Sequence, residues 1–325
     1  MKKIYFIVPD FGNLLTGGTL YNDKVSYYLK KKYLSVIKIK VPKDSKSLAL
    51  HKKIKKIPRE STIILDGYLA NKLKIKTASN LKILVHHPCS LENSDRMMSD
   101  IKLFLSEKKA FNMGDSFITV SKTMKNVLIK YIGAGKKICV AYPGIDNKFY
   151  KLKNDKESKN IISVGNVIPR KGYTALIKAL CNVEEDFSLT IIGSFNRDSE
   201  YFKNLIKIID ENNLQQKVKF VGSLDFEQVL THIEKSRLFV LPTRYEGFGM
   251  SIVESAAAGL DIITSDIPVL REVLKDATVD FIPEFDVNQI TLAINRNLSK
   301  SSGSTNNFTR RYKWENTASK IMRSL

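Results

Sequence analysis

Short apolar runs alternate with amphipathic stretches along the whole chain. Each run is rich in β-branched residues and ends at polar, glycine or proline positions, which indicates a buried strand. The runs are residues 4–8, 34–41, 62–65, 81–85, 117–120 and 138–141 in the first half and residues 161–164, 189–193, 218–221, 238–241 and 261–264 in the second. Because apolar residues at helical spacing lie between most of them, the pattern predicts α/β sheets with parallel strands.

A mostly polar stretch, residues 151–160, separates the two arrays of strands and helices. A chain of 325 residues is long enough for two domains of ordinary size, each with its own core. We therefore predict two domains, residues 1–152 and residues 153–325. The last helix of the chain could pack back on the first domain.

The stretch from Arg244 to Asp266 combines a strand end, a glycine-rich loop and a helix. The helix is predicted over residues 250–258, and Gly259 supplies a left-handed C-terminal cap. Ligands bind at this edge of open α/β sheets, where the first amides of a helix are free. Glu246 in the loop and Glu254 one turn into the helix could accept hydrogen bonds from sugar or ribose hydroxyls. Alternatively, Glu254 complements the helix dipole and Glu246 is a solvated loop acid.

A basic loop follows the first strand of the second half. It contains Asn166, Arg170 and Lys171 and precedes a helix predicted over residues 173–180. Positive charge and free amides at the start of a helix suit a diphosphate. The alternative is a solvated basic loop without a ligand.

Two features of the first half lie at predicted strand ends. The pair Gly17 and Gly18 lies in a loop after the first strand, before a helix capped by Thr19 or Asn22. The strand over residues 81–85 leads directly into His86 and His87. A glycine pair is often only a turn, and the histidines are interpreted equally well as structural or as ligand-binding.

The segment from Glu246 to Gly259 resembles the Glu-x7-Glu signature of retaining GT-B glycosyltransferases of the family 4 type. The resemblance rests on Glu246, Gly247-Phe248-Gly249, Glu254, the alanine run and Gly259. It implies a GT-B fold, in which two Rossmann-like β/α/β domains face each other across a cleft. It also implies transfer of a sugar from a nucleotide-diphosphate sugar to an acceptor, with retention at the anomeric carbon and without a metal or another cofactor.

The resemblance further implies roles for individual residues. Glu246 and a cleft histidine, assigned to His87 with His86 as the alternative, would be catalytic. Donor binding would involve Gly17, Gly18, Asn166, Arg170, Lys171, Gly222, Ser223, Leu224, Phe248, Gly249, Met250 and Glu254. The family usually places an arginine five residues before the lysine, where this chain has Asn166. The resemblance therefore leaves open whether Arg170 or Asn166 would assist Lys171 with the diphosphate, or whether Lys171 would act without one.

Charge is distributed unevenly along the chain. The chain has 53 lysine and arginine residues against 33 acidic residues, a net charge of +20. Residues 1–153 contain 31 basic and 11 acidic residues, so the first half carries the whole excess. This asymmetry predicts an anionic partner for the first domain, either acidic lipid or a phosphate-bearing acceptor, or else a solubilising surface. Residues 43–59 form a lysine-rich amphipathic stretch, and its lysines at 43–56, with Leu48, Leu50 and Ile54 between them, are the predicted lipid-facing surface.

Other function classes fit the sequence less well. A non-enzymatic binder of RNA or of an anionic surface would explain the charge, but the usual aromatic and basic RNA-binding motifs are missing. An epimerase or phosphorylase of GT-B shape would lack a reason for the Glu-x7-Glu segment. The acceptor could be a glycan, a lipid-linked sugar or a small molecule. Three scattered cysteines and the lack of a long apolar run favour a cytoplasmic protein, soluble or peripheral at the inner membrane face.

Overall fold

The chain forms two compact units, residues 1–144 together with 312–325, and residues 145–311. The computed structural model describes residues 3–12, 16–32, 35–74, 80–92, 97–155, 157–196, 198–300, 308 and 311–325. The division falls eight residues before the predicted boundary, and the last helix belongs to the first unit.

The first unit contains a parallel six-stranded sheet. Its strands are β1 (Ile4–Asp10), β2 (Val36–Pro42), β3 (Thr62–Asp66), β4 (Leu81–Val85), β5 (Ser116–Thr119) and β6 (Lys137–Val140). Its helices are α1 (Gly17–Lys31), α2 (Ser47–Lys55), α3 (Gly67–Ala70), α4 (Met97–Phe111), α5 (Lys122–Ile132) and, from the end of the chain, α12 (Trp314–Arg323). The strand order is β2-β1-β3-β4-β5-β6.

The second unit repeats this plan with a different strand order. Its strands are β7 (Asn160–Val164), β8 (Ser188–Ile192), β9 (Val218–Gly222), β10 (Leu238–Leu241), β11 (Asp261–Ser265) and β12 (Val279–Ile282). Its helices are α6 (Tyr173–Leu180), α7 (Ser199–Glu211), α8 (Phe226–Glu234), α9 (Met250–Ala257), α10 (Pro268–Val273) and α11 (Val287–Leu298). The order is β12-β11-β10-β7-β8-β9, again all parallel.

Each sheet has a topological switch point, where successive crossovers run in opposite directions. The point lies between β1 and β3 in the first sheet and between β7 and β10 in the second. In open α/β sheets, ligands bind beyond the carboxyl ends of the strands at this point. The loops that follow these four strands are therefore the expected positions of ligand-binding sites.

The central strands form the core of each unit. Strands β3, β4 and β11 are buried along their whole length, as expected for a parallel sheet covered on both faces. The core of the first unit also includes Leu50 and Ile54 of α2. These two side chains therefore do not contribute to the predicted lipid-facing surface, and of the three apolar residues named for it only Leu48 is exposed.

The predicted parallel α/β architecture is confirmed in both units, but the predicted start of the first helix is wrong and two elements were missed. Helix α1 begins at Gly17, because its cap is Thr16 rather than Thr19 or Asn22. The Thr16 hydroxyl accepts from the backbone amide of Thr19 at 3.1 Å, and the Thr19 hydroxyl accepts from the backbone amide of Thr16 at 2.9 Å. The pair Gly17 and Gly18 thus forms the first helical turn rather than a loop. Strand β12 and helix α11 were not predicted at all.

Helix α12 completes the first unit. The Thr317 hydroxyl donates to the carbonyl oxygen of Tyr142 at 2.6 Å, and the Trp314 ring lies 5.8 Å from that of Tyr21. A Cβ atom on Gly144 would lie 2.3 Å from the Trp314 amide nitrogen, so a glycine is required at this contact.

Candidate functional site

The two loops at the switch point of the second sheet are bonded to each other. One follows β7 and contains Arg170 and Lys171; the other follows β10 and contains Thr243 to Gly249. The Arg244 amide donates to the Arg170 carbonyl oxygen at 2.8 Å, and the Arg170 guanidinium donates to the Tyr245 carbonyl oxygen at 2.6 Å. These bonds fix the basic loop against the acidic one.

Glu246 and Lys171 form a buried ion pair at the centre of these loops. The Lys171 Nζ to Glu246 Oε1 distance is 2.5 Å, and the two residues are only 9% and 8% exposed. The Thr243 hydroxyl donates to the same carboxylate oxygen at 3.0 Å, and Arg170 Nη1 lies 3.6 Å away. Glu246 is therefore not a solvated loop acid.

The electrostatic surroundings of Glu246 keep it ionised. Burial by itself would raise the pKa of this carboxyl group, but the charges of Lys171 and Arg170 and the bonds from Lys171 and Thr243 outweigh burial. Its pKa is therefore lowered. Together the two cations and the one carboxylate carry a net charge of +1, which leaves the site attractive to an anion.

Helix α9 starts beside this pair. Gly249 precedes it with φ at +79° and, as a glycine, provides no side chain to cap the first amides. The Ser251 hydroxyl donates to the carbonyl oxygen of Val164 at 2.7 Å, which ties the start of α9 to the end of β7. Phe248 is buried, and Glu254 lies half-buried one turn further along the helix. The loop and the helix start thus bring Glu246, the Phe248 to Met250 amides and Glu254 to one edge of the sheet.

The neighbouring strand ends complete this edge. The Gly193 amide, after β8, donates to the Gly222 carbonyl oxygen at the end of β9 at 2.8 Å. Gly193 has φ at +148°, and a Cβ atom there would lie 2.1 Å from the Gly165 carbonyl oxygen and 3.0 Å from the Asn166 amide nitrogen. The loops with Asn166 and with Gly222, Ser223 and Leu224 are therefore closely packed neighbours, with Ser223 exposed.

A second polar cluster lies at the switch point of the first sheet. Asp66, at the end of β3, accepts a hydrogen bond from the side-chain amide (Nδ2) of Asn22 in α1 at 2.7 Å. His86, after β4, places its Nε2 at 3.2 Å from Asn22 Oδ1 and 3.4 Å from Asp66 Oδ2. A Cβ atom on Gly18 would lie 3.3 Å from the His86 ring, so Gly18 leaves room for that ring.

The two histidines have different partners. His87 Nε2 contacts Glu92 Oε1 at 2.6 Å, whereas His86 belongs to the cluster with Asn22 and Asp66. Of the two, His86 is the one that packs against the Gly17 and Gly18 turn. The catalytic assignment of His87 stays a prediction.

Several residues of these clusters were not predicted from the sequence. Thr243, Asn22 and Asp66 each bond a predicted site residue or one another. Glu107 is fully buried and accepts from the amides of Cys89 and Ser90 at 2.7 and 3.1 Å, which fixes the segment just after the histidines. Only Asp66 had a local signal, an acid at the end of an apolar run.

Within the described ranges, no group of three or more His, Cys, Asp or Glu side chains could hold a metal ion. None of the helices in that part of the chain is long and apolar enough to cross a bilayer.

Two Rossmann-like units in one chain, each with a parallel sheet, form a fold of the GT-B class, which the solved structures described below share. The chain belongs to the family described as glycosyl transferases group 1, which residues 144–317 match. The predicted resemblance to GT-B glycosyltransferases is therefore confirmed at the level of fold class and family.

Relatives of known sequence support the same family. An uncharacterised glycosyltransferase of Methanocaldococcus jannaschii is 28% identical over 243 residues, covering 72% of this chain and 66% of that protein. The O-antigen chain mannosyltransferase RfbU of Salmonella typhimurium is 27% identical over 201 residues, covering 61% of this chain and 56% of that protein. The alignments thus span two thirds or less of these two relatives.

Solved structures share the fold at low identity. The HepE protein of Anabaena, in complex with UDP and glucose, matches with a TM-score of 0.78 and 16% identity, covering 100% of this chain and 99% of that one. A sucrose-phosphate synthase of Thermosynechococcus elongatus matches with a TM-score of 0.77 and 17% identity, covering 99% and 94%.

Proposed function

We propose that the protein transfers a sugar from a nucleotide-diphosphate sugar to an acceptor, with retention at the anomeric carbon and without a metal ion. The observation that carries the proposal is the buried Lys171–Glu246 pair at the switch point of the unit that matches the family. A lysine held there without bulk solvent suits a diphosphate, and a carboxylate beside it suits the hydroxyls of the sugar.

The second unit would bind the donor. Lys171, together with Arg170 or Asn166, would neutralise the charge that develops on the leaving diphosphate. Glu254 would accept from the ribose hydroxyls, and the segment Gly222 to Leu224 would border the base. Because the Arg170 guanidinium already donates to a backbone carbonyl in its own unit, we favour it as a rigid neighbour of the diphosphate rather than a mobile clamp.

Glu246 would hold the transferred sugar, with the amides of Phe248, Gly249 and Met250. Its carboxylate is paired with Lys171, and donor binding would supply Lys171 with a second anion. The carboxylate would then stabilise the positive charge that develops on the sugar as its bond to the diphosphate breaks.

The first unit would take the acceptor and contact the sugar of the donor. One of His86 and His87 would contribute, beside Gly17 and Gly18. The packing of His86 on Gly18 and its bond to Asn22 favour His86. The name of RfbU, an O-antigen chain mannosyltransferase, favours a glycan acceptor or a lipid-linked one.

A panel of UDP-, GDP- and ADP-sugars tests the donor proposal. The expected result is an increase in the melting temperature with one nucleotide series, undiminished by EDTA and abolished in Lys171→Ala. A UDP-sugar is the first to try, because HepE was solved with UDP and glucose. No stabilisation by any nucleotide diphosphate would refute the proposal; inverted product stereochemistry by NMR would refute retention alone.

We also propose that the first unit meets an anionic partner at the cytoplasmic membrane face. Residues 1–153 carry the entire +20 charge, although the two units have similar architectures. A compositional drift toward lysine would have affected both halves equally. Salt-dependent binding to acidic vesicles is the expected result. The absence of binding at low ionic strength would exclude the membrane and leave a phosphate-bearing acceptor or a solubilising surface.

A further inference from the structure

Helix α4 carries an apolar pair on its outer face. Ile101 and Leu105 are 55% and 57% exposed and lie one helical turn apart. Among the side chains that the structure describes, they are the only exposed large hydrophobic residues at that spacing on one helix. Single exposed apolar residues are ordinary, but a pair aligned on one helical face is a candidate for contact with another surface.

The inner face of α4 is firmly packed, so the exposure does not come from a poorly placed helix. Phe104 packs against Tyr131 with ring centroids 4.7 Å apart, and Phe111 is buried in the core. Glu107 is fully buried and bonds the amides of residues 89 and 90. The orientation of the helix is therefore fixed, with Ile101 and Leu105 on its outer face.

Lysines surround the apolar pair. Lys102 follows Ile101, and Lys108 and Lys109 lie three and four residues after Leu105; all three are exposed. Glu107 is the only acid between residues 101 and 111, and it points inward. We call Ile101, Leu105 and these three lysines the α4 ridge. An apolar line with a cationic border is the arrangement of helices that lie in the interface of a bilayer.

We infer that the α4 ridge docks on the surface of an anionic phospholipid bilayer, with Ile101 and Leu105 entering between headgroups and the lysines contacting phosphates. The lysine border and the +20 charge of the first half favour lipid phosphate over a second copy of this chain, because two ridges would bring like charges together. The inference deepens the proposed anionic partner of the first unit and does not depend on the transfer reaction.

Helix α2 is the rival surface, since it is the lysine-rich stretch that the sequence favoured. Its apolar residues Leu50 and Ile54 lie in the core, which leaves Leu48, 65% exposed, as its one large apolar side chain at the surface. A surface with lysines and a single leucine would bind lipid by charge, without a line of apolar residues to insert. The two helices therefore predict different effects of removing apolar side chains.

Sedimentation with phosphatidylglycerol vesicles, against phosphatidylcholine vesicles, tests the inference. The double variant Ile101→Ser/Leu105→Ser is expected to lower the partition coefficient on acidic vesicles at least tenfold. Leu48→Ser and Leu292→Ser are matched controls, since Leu292 is 58% exposed on α11 of the second unit, and both should bind like the unchanged protein. Melting temperatures confirm that each variant is folded.

A fluorescence measurement provides a gain of signal that does not depend on weakened binding. The chain has one tryptophan, Trp314, which is buried. In Leu105→Trp the added indole should shift to shorter emission wavelengths on phosphatidylglycerol vesicles, whereas Leu292→Trp should not shift. A wavelength shift in both variants, or in neither, would contradict the assigned surface.

The remaining outcomes are also decisive. Undiminished binding of the double serine variant would exclude the α4 ridge while leaving the anionic partner in place. Weaker binding of Leu48→Ser alone would assign the contact to α2. Concentration-dependent dimers that the double variant abolishes would make the ridge a contact between copies. Nucleotide-sugar stabilisation is measured without vesicles, so a failure here does not affect the transfer proposal.

Discussion

Replacing Glu246 by glutamine tests how the Lys171–Glu246 pair affects stability, nucleotide binding and turnover. The substitution keeps the size of the side chain and an oxygen that can accept from Lys171 and Thr243, but it removes one negative charge from a buried site. The net charge of Arg170, Lys171 and residue 246 rises from +1 to +2. We therefore expect lower stability, tighter binding of a free nucleotide diphosphate and much slower turnover.

The size of each effect follows from the geometry. Removing the charge of one partner from a buried pair while keeping the hydrogen bonds should cost about 2 kcal/mol of folding free energy, or about 4–8 °C in melting temperature. Two unit charges 4 Å apart interact by about 1 kcal/mol in water and about 4 kcal/mol at an effective dielectric constant of 20. At the lower value, losing the carboxylate beside a diphosphate strengthens binding about fivefold.

Turnover should fall by about 100- to 1,000-fold, the range for removal of a group that stabilises developing charge. Calorimetry with the nucleotide diphosphate that stabilises the protein measures the change in binding. Single-turnover kinetics measure the change in the transfer step. Glu185→Gln is the matched control, because it removes the same charge from the Lys159–Glu185 pair near the start of β8, at the opposite edge of the sheet. Weaker nucleotide binding with normal turnover in Glu246→Gln would refute the assigned role.

The pH dependence gives an independent check on the same pair. Because the pKa of Glu246 is lowered in the folded protein, its contribution to stability is present above the ordinary glutamate pKa of about 4.3. That contribution is lost as the pH falls through the lowered pKa. The difference in melting temperature between the unchanged protein and Glu246→Gln should therefore be constant near neutral pH and disappear in acid. A difference that persists at the lowest pH would show that it arises from packing rather than from charge.

Four further substitutions test the remaining assignments. Lys171→Ala should weaken both the nucleotide diphosphate and the nucleotide sugar by about 100-fold while leaving the free nucleoside unchanged, and an equal loss for the nucleoside in calorimetry would place Lys171 away from the phosphates. Glu254→Gln should weaken nucleotide-sugar binding about tenfold with an unchanged melting temperature, because the half-buried side chain would bond the ribose. Unchanged affinity would indicate that Glu254 only complements the helix dipole. His86→Ala should slow turnover at least tenfold and His87→Ala much less, measured with saturating donor, and the opposite order would return the catalytic role to His87.

The strands were predictable because parallel strands buried on both faces appear in the sequence as continuous apolar runs. Strand β12, Val279 to Ile282, escaped detection because Asp280 interrupts its short apolar run. The start of α1 was misplaced for a different reason. Two glycines usually indicate a turn, but the capping box between Thr16 and Thr19 provides the hydrogen bonds that start a helix at Gly17.

The donor-side loop residues could be proposed from the sequence because they follow strands and lie beside glycines, and Glu254, one turn into a helix, because it completes the Glu-x7-Glu segment. Their partners could not, since each contact joins distant positions in the chain. The bond from Lys171 to Glu246 spans 75 residues, and the bond from Asn22 to Asp66 spans 44. Glu107 is the clearest case: its helix position has no special neighbours in sequence, and only the fold places its carboxylate beneath the amides of Cys89 and Ser90.

Amphipathic spacing by itself also could not decide which lysine-rich helix meets a partner. Helix α2 has apolar residues at helical spacing because Leu50 and Ile54 face the core, whereas α4 has apolar residues on both its inner and outer faces. The hydrophobic periodicity that identifies a helix therefore indicates the core face of α2 and says nothing about its outer surface. Only the three-dimensional packing distinguishes an apolar residue needed for folding from one left for a contact.

The pairing of Lys171 with Glu246 also gives a physical reason for the three effects expected of Glu246→Gln. Burying Lys171 beside Arg170 without a counter-charge would cost several kcal/mol, and Glu246 supplies that counter-charge. Its loop is held in place by Thr243 and by the Arg170–Tyr245 bond. In the proposed reaction a diphosphate would give Lys171 a second partner, and the carboxylate would become available to the sugar. The same residue would therefore stabilise the folded protein, weaken binding of the free nucleotide and take part in transfer, which is why substitution at this position should change the three properties in different directions.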